Sequence, residues 1–522
     1  MKHVLPFVSA LLLWLAFPPA DLGFLGWAAL VPLTVYALVA RGRRAFFIAW
    51  AAGFVFWTGT LYWLHYTSPW FGPPGVGIYK GLYWGAYVSL VRWACTGERP
   101  RVPVAIAAPV VWTTLEFIRS YLFTGLPFMV AGYTTHNLLS FIQIADLGGI
   151  WLVTFVVALV NGTLARAFVP PPAEPALSER KRAEGYRWSA VASVAVLVAS
   201  IGYGAVRLAT IQLEDGLKIG IVQPNIPQDY KEIVKGGPSP EQLADIYRRH
   251  YERSLEAARQ KPDLIVWPEV AIIDGPSTRG GRWFENLRFA RVVAPSRETG
   301  IAHVIGTQIA DYPMESGDAS FTNSAVFVDA HGRLIGRFDK IKLVPFSEFM
   351  LFGDTLPVQR IVESVVGVRL MEFRRGTEQP VWEVAGRKIG VSICSENYFP
   401  EISREFAGKG ARTLVNISND GWFRESAQLD AQLAMAKFRA IENRAHYIRA
   451  TNTGISAMIE PTGRIAAMIP GKSVAGTLVG VAKVTRTAAP YGVLGDWAAW
   501  LCAGLAAGGF LAVKLARRAS KN

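Results

Sequence analysis

The chain has 522 residues, 51% of them hydrophobic, with a mean hydropathy of +0.25. That apolar share exceeds what a soluble globular protein normally carries, and three cysteines rule out a disulfide framework. The net charge of +14 sits mainly at the ends of apolar segments and on an ordinary solvated surface, so nucleic acid is not expected as a partner.

Apolar segments of spanning length fall at about 4–18, 23–40, 45–65, 78–96, 103–122, 148–168, 188–208 and 491–513. They predict a polytopic α-helical membrane domain of about eight spans. The first follows Lys2 and His3, as a signal peptide would. It ends "LAFPPADLG", with no small-x-small cleavage site, so it counts as a span. The loops give an independent test. "ARGRR" (40–44), "GERPR" (97–101), "ERKR" (179–182) and the terminal "KLARRASKN" carry the basic residues. The alternate loops near 19–22, 66–77 and 123–147 carry no Lys or Arg. The positive-inside rule then places both termini in the cytoplasm and the segment 209–490 outside. Glu116 and Arg119 lie three apart on one helical face of the fifth span, where an ion pair is expected. Lys80 and Arg92 stand towards the two ends of the fourth and are expected to snorkel.

The expected domains are 1–208 (seven spans), 209–490 (an outer catalytic domain), 491–513 (the last span) and 514–522 (a basic cytoplasmic tail). The outer segment has a different composition. "KIGIVQPNI" (218–226), "DLIVWPEVAI" (263–272), "HVIGTQIA" (303–310), "KIGVSIC" (388–394) and "RTLVNISN" (412–419) read as strands rich in Val and Ile. Between the first two, Ser239 and Pro240 start a helix whose Leu243, Ile246, Tyr247, Tyr251 and Leu255 share one face. This is an α/β or layered α+β domain.

Reactive side chains stand at or near the ends of such runs. Glu269 closes "IVWPE", Lys340 lies in "RFDKIKLVPFSEF" with Glu348 eight residues on, and Cys394 closes "IGVSIC". Strand ends converge on one edge of a sheet, where α/β folds place their sites. Taken alone, a cysteine at a strand end is a small buried hydrophobe. Together, a thiol, a carboxylate and an ammonium suit acyl transfer through a thioester, with Glu269 taking the thiol proton and Lys340 stabilising an oxyanion. No Cys–His pair competes, and no metal-ligand cluster or phosphate loop stands out, so neither metal nor cofactor is expected.

"IVWPE", "KIKLVPFSE" and "IGVSICSE" followed by "YFPEISREFAGKGARTLVNISNDGWF" resemble the carbon–nitrogen hydrolase (nitrilase) superfamily. With spans on either side, and with "WTTLEFIRSYLFTGLPFMVAGYT" (112–134) and "ENRAHYIRATNTGISAMIEPTG" (442–463), the chain resembles the apolipoprotein N-acyltransferase family in particular. The resemblance implies an extracytoplasmic nitrilase-like αββα sandwich. In it Glu269 would be the general base, Lys340 the oxyanion donor, Cys394 the nucleophile and Glu348 a supporting acid. It implies an acyl donor phospholipid, phosphatidylethanolamine, and a diacylglyceryl apolipoprotein as acceptor. It also implies a monomer in the bacterial inner membrane. Ser395, Glu396, Trp422 and Phe423 are candidates for substrate contact, and the apolar 349–368 stretch is an expected lid. Two positions depart from the family pattern. Ser347 stands where glycine is frequent and Ser395 where tyrosine is frequent, which removes an aromatic contact. The rival readings are a membrane-anchored amidase with the same residues, a transporter, and an inactive lipoprotein-binding relative.

Overall fold

The computed structural model describes residues 2–67, 72–96, 102–169, 179–228, 238–314, 318–350 and 372–519. The chain forms two units, one of residues 1–211, 426–438 and 489–522, the other of 212–425 and 439–488.

The first unit is helical: α1 (Leu5–Ala16), α2 (Val31–Val39), α3 (Arg44–Thr60), α4 (Gly72–Cys95), α5 (Val104–Tyr121), α6 (Ala145–Ala167) and α7 (Glu179–Thr210), with a last helix at Trp497–Ala519. Small residues let α3 and α4 close on each other. A Cβ on Gly81 would stand 2.8 Å from the Trp50 carbonyl oxygen, and one on Gly85 would stand 2.7 Å from the Phe46 ring. Such close packing is the usual driving force between helices where apolar burial gives none. Helices stand at all the expected apolar segments. Among the described residues, Ala145–Ala167 and Arg187–Thr210 are long and apolar enough to cross a membrane, and Lys2–Ala16, Gly23–Val39 and Trp497–Ala512 are shorter apolar stretches. Charged residues (Lys80, Arg92, Glu116 and Arg119) lower the apolar character of α4 and α5.

Lys80 does not snorkel. It is fully buried in α4, donates to the Leu126 carbonyl and lies 4.4 Å from the centre of the Trp57 ring. The expected ion pair is present, with Arg119 donating to Glu116 at 3.0 Å. Both side chains also hold the segment that follows α5. Arg119 donates to the Phe128 and Met129 carbonyls, and Glu116 accepts from the Ala131 amide. Arg92 is more open and donates to the Gly42 carbonyl.

The second unit is built on two sheets. One contains β1 (Glu214–Gln223), β2 (Leu264–Val266), β3 (Ser277–Arg279), β4 (Arg282–Trp283), β5 (Ala302–Tyr312), β6 (Ser320–Val328), β7 (Leu334–Asp339) and β14 (Gly476–Val484). The other runs β13 (Ile465–Met468), β12 (Ala457–Ile459), β11 (His446–Thr451), β10 (Thr413–Ser418), β9 (Arg387–Ile393) and β8 (Trp382–Val384). Strands β1, β2 and β5 are parallel, as are β9, β10 and β11. Parallel strands need both faces covered, and their residues are buried almost throughout. The sheets meet face to face through β1 with β11 and β6 with β9. Helices α8 (Pro240–Ala258) and α9 (Leu287–Thr299) pack on the first sheet, and α10 (Pro400–Gly408) packs on the second. This is the layered arrangement of helix, sheet, sheet and helix.

Helix α8 begins where expected, with Ser239 and Gln242 satisfying each other's backbone amides in a capping box. Its buried stripe differs from the apolar face read from the sequence. The inward residues are Ile246, His250, Ser254 and Ala257, and Leu255 is 40% exposed. The cause is Trp267, whose ring packs at a tilt against His250, 4.9 Å between centres, and donates from Nε1 to Ser254. Trp267 lies in a core with Ile265, Val292, Ile305 and Val326. Burying such a ring contributes about 3 kcal/mol, more than the burial of Leu255 would.

Candidate active site

Strand β2 ends at Val266, and the chain turns through Trp267 and Pro268 to Glu269. The turn lies against β5. A Cβ on Gly306 would meet the Pro268 carbonyl oxygen at 2.2 Å and the Glu269 Cα at 2.7 Å, so only glycine leaves room. Strand β7 ends at Asp339 and delivers Lys340, whose amide donates to the Asn323 carbonyl of β6. Strand β9 delivers Cys394 in a left-handed backbone conformation, φ 52°. For a residue with a side chain this costs about 1–2 kcal/mol, and it turns the thiol out of the strand direction.

The expected acid and base groups meet in one buried cluster. Lys340 donates to Glu348 Oε1 at 2.9 Å and lies 3.5 Å from Glu269 Oε1. Asn323 donates to both carboxylates, at 2.8 Å to Glu269 and 2.9 Å to Glu348. Glu269 Oε2 accepts from the Asn419 amide, and Glu348 Oε2 accepts from the Val344 amide. Each carboxylate is thus fixed from two sides.

Cys394 is electrostatically part of this group. Burial pushes its thiol well above the ordinary range, Glu269 pushes in the same direction, and Lys340 opposes them. Burial also works against the Lys340 ammonium, but Glu348, Cys394 and Glu269 outweigh it and hold its pKa well above the usual lysine value. At neutral pH the resting pair is therefore a protonated thiol and a charged lysine. Such a thiol becomes a nucleophile only as its proton leaves, which requires a base within reach.

Behind Cys394, Asn416 donates to the Cys394 carbonyl at 3.3 Å. Arg449 donates to Asn416 at 3.2 Å and forms a fully buried ion pair with Asp420. One stretch of chain, 416–420, thereby holds both the Cys394 backbone and Glu269. The sequence reading missed Asn323, Asn416 and Asn419. An asparagine inside an apolar strand, as in "FTNSAVFV" and "LVNIS", was the available signal, because asparagine is depleted from strands unless a partner holds it.

The candidates for substrate contact separate. Glu396 is wholly buried, and its carboxylate accepts from the amides of Ile341, Lys342 and Ile393. It braces the lysine and cysteine loops and offers no open surface to a substrate. Burial pushes its carboxyl up to about 7 against those three donors. Ser395 is nearly closed, with its hydroxyl 3.4 Å from the Lys342 carbonyl. In the 3-10 turn Asp420–Phe423, Phe423 is buried and Trp422 is 39% exposed. Trp422 is thus the candidate with an open face. The expected lid begins with Phe349 and Met350, and its remainder, 351–368, lies outside the described residues.

Residues 218–488 match the carbon-nitrogen hydrolase family, and residues 9–163 match the apolipoprotein N-acyltransferase N-terminal domain. An apolipoprotein N-acyltransferase of Geobacter metallireducens is 32% identical over 96% of this chain and 93% of its own length. The chain belongs to the apolipoprotein N-acyltransferase family. Its relative from Azotobacter vinelandii is 29% identical over 97% of this chain and 93% of its own. Among solved structures, an amidase from Nesterenkonia sp. aligns at 18% identity and a TM-score of 0.33, over 52% of this chain and 92% of its own.

Proposed function

We propose that this enzyme moves a fatty acyl chain from a phospholipid to the α-amine of the N-terminal diacylglyceryl-cysteine of an apolipoprotein. The observation that carries this reading is the buried Glu269–Lys340–Cys394 cluster in a chain whose helical N-terminal part matches the acyltransferase domain. An amidase needs no such domain, and the relatives named above are acyltransferases.

In the first step Cys394 Sγ attacks the ester carbonyl carbon of the donor, phosphatidylethanolamine in this reading. The thiol proton passes to Glu269, and Lys340 stabilises the negative oxygen of the tetrahedral intermediate. The carbon–oxygen ester bond then breaks, and Glu269 returns the proton to the departing lysophospholipid. A thioester on Cys394 remains. In the second step the acceptor's amine attacks the thioester carbon and gives a proton to Glu269. The carbon–sulfur bond breaks, and the proton returns to sulfur. Glu348 serves throughout by holding Lys340. The thioester must be shielded from water, since hydrolysis would make the enzyme a phospholipase.

In the same reading the chain spans the bacterial inner membrane eight times as a monomer. Its domains are 1–208, 209–490, 491–513 and 514–522, with both termini cytoplasmic and the site on the outer face. The distribution of Lys and Arg among the loops supports that topology, and Trp422 is the candidate lipid contact. The test is to incubate the purified protein with acyl-labelled phosphatidylethanolamine. A covalent adduct should form, disappear in Cys394→Ala, and discharge only when a diacylglyceryl peptide is added. Absence of an adduct on the native protein, or discharge to free fatty acid without peptide, sinks the proposal.

A further inference from the structure

Residues 373–376 return directly to the site. The Phe373 amide donates to the Glu348 carbonyl at 2.8 Å, and the Gly376 amide donates to the Lys340 carbonyl at 2.9 Å. The two residues between these anchors are both arginines, with different surroundings. Arg374 is bound to Asp311 at 2.8 Å. Arg375 makes no ion pair or side-chain hydrogen bond among the described residues. Its guanidinium lies over the Phe349 ring, 4.6 Å from the centre, and it is exposed. An arginine stacked on an aromatic ring is pre-organised, with donors free at its edge for a bidentate oxyanion. Phe346, three residues before that ring, is 47% exposed in a left-handed conformation of φ 61°. An exposed aromatic in a disfavoured backbone state, next to the catalytic turn, is where strain accompanies function.

Every glycerophospholipid carries a phosphodiester, and the glycerol unit separates it from the scissile ester by only a few bonds. That is comparable to the reach of an arginine side chain. We propose that Arg375 receives the phosphodiester of the donor lipid, with Phe349 as its platform. The inference rests on the acyl-transfer reading above and adds the feature by which the donor is told from an uncharged ester. Arg375 acts in binding and takes no part in bond making.

The test uses the full chain in detergent micelles with two acyl donors, phosphatidylethanolamine and the phosphate-free ester p-nitrophenyl palmitate. Native protein that acylates Cys394 from both donors establishes the underlying reading; failure with both removes that reading itself. In Arg375→Gln the KM for phosphatidylethanolamine should rise about tenfold or more, the loss expected for a charge-assisted hydrogen-bond pair. The rate with p-nitrophenyl palmitate should not change, and Arg375→Lys should recover part of the loss. Hexadecylphosphocholine should inhibit acylation of native Cys394 by p-nitrophenyl palmitate and do so weakly in Arg375→Gln. An unchanged KM for the phospholipid, or an equal loss with both donors, overturns the assignment.

Discussion

Two buried clusters in this chain each bring a lysine and glutamate together with a third charge. Lys80, Glu116 and Arg119 sit in the helical unit; Lys340, Glu269 and Glu348 sit between the strands of the second. In the first, the cations donate to the carbonyls of Leu126, Phe128 and Met129, and the acid accepts from the Ala131 amide. The charges there secure a length of backbone. In the second, the lysine donates to carboxylates, the carboxylates are fixed by Asn323 and by backbone amides, and a thiol shares their field. Burial of charge is common to both clusters. What sets the second apart is the thiol that faces its charges.

Substitutions in the two clusters should therefore fail in different ways. The largest effect is expected at Lys340, the proposed oxyanion donor. Lys340→Ala should slow acyl-enzyme formation by about a thousandfold, measured by rapid quench with labelled phospholipid. Next, Glu269→Gln should reduce transfer by about a hundredfold or more while moving the thiol the other way. The Glu269 carboxylate raises the Cys394 pKa, so its neutralisation lowers that pKa and increases the thiolate fraction at a given pH. Alkylation of Cys394 by iodoacetamide should then begin at lower pH in the variant than in the native enzyme. Loss of alkylation in parallel with transfer would overturn the electrostatic effect of Glu269 on the thiol.

Glu116→Gln tests the other side of the comparison. It leaves Arg119 buried without its counter-charge, at a cost of about 3 kcal/mol. The melting temperature should fall, with kcat/KM per folded molecule unchanged. A selective loss of kcat would make that cluster more than a strut. The smallest effect is expected at Asn323, which positions both carboxylates. Asn323→Ala should cost about tenfold in kcat with little change in KM for the phospholipid, read from the same adduct assay.

How far the sequence led differs by residue type. Glu269, Lys340 and Cys394 were legible because each is a reactive side chain at the end of an apolar run, and the strands carry such ends to a common edge. Asn323, Asn416 and Asn419 were not, because their role depends on which strands become neighbours. The same holds for α8, where a single tryptophan just after β2 turned His250 and Ser254 inward. Lys80 misled for a related reason. Its position along α4 suggested escape to solvent, but Trp57 and the Leu126 carbonyl were close enough to satisfy it in place. Glu396 stands two residues after Cys394 in sequence, yet it faces the backbone of the neighbouring loops.

Gly306 bears on the history of the chain as well as its architecture. It takes no part in the chemistry, yet a single added carbon there would occupy the place of the Pro268 carbonyl and the Glu269 backbone. Any lineage that keeps this turn is held to glycine at 306, whatever lipids it comes to use. Side chains that touch substrate can drift with diet and habitat, whereas a position defined by the absence of a side chain has nowhere to drift.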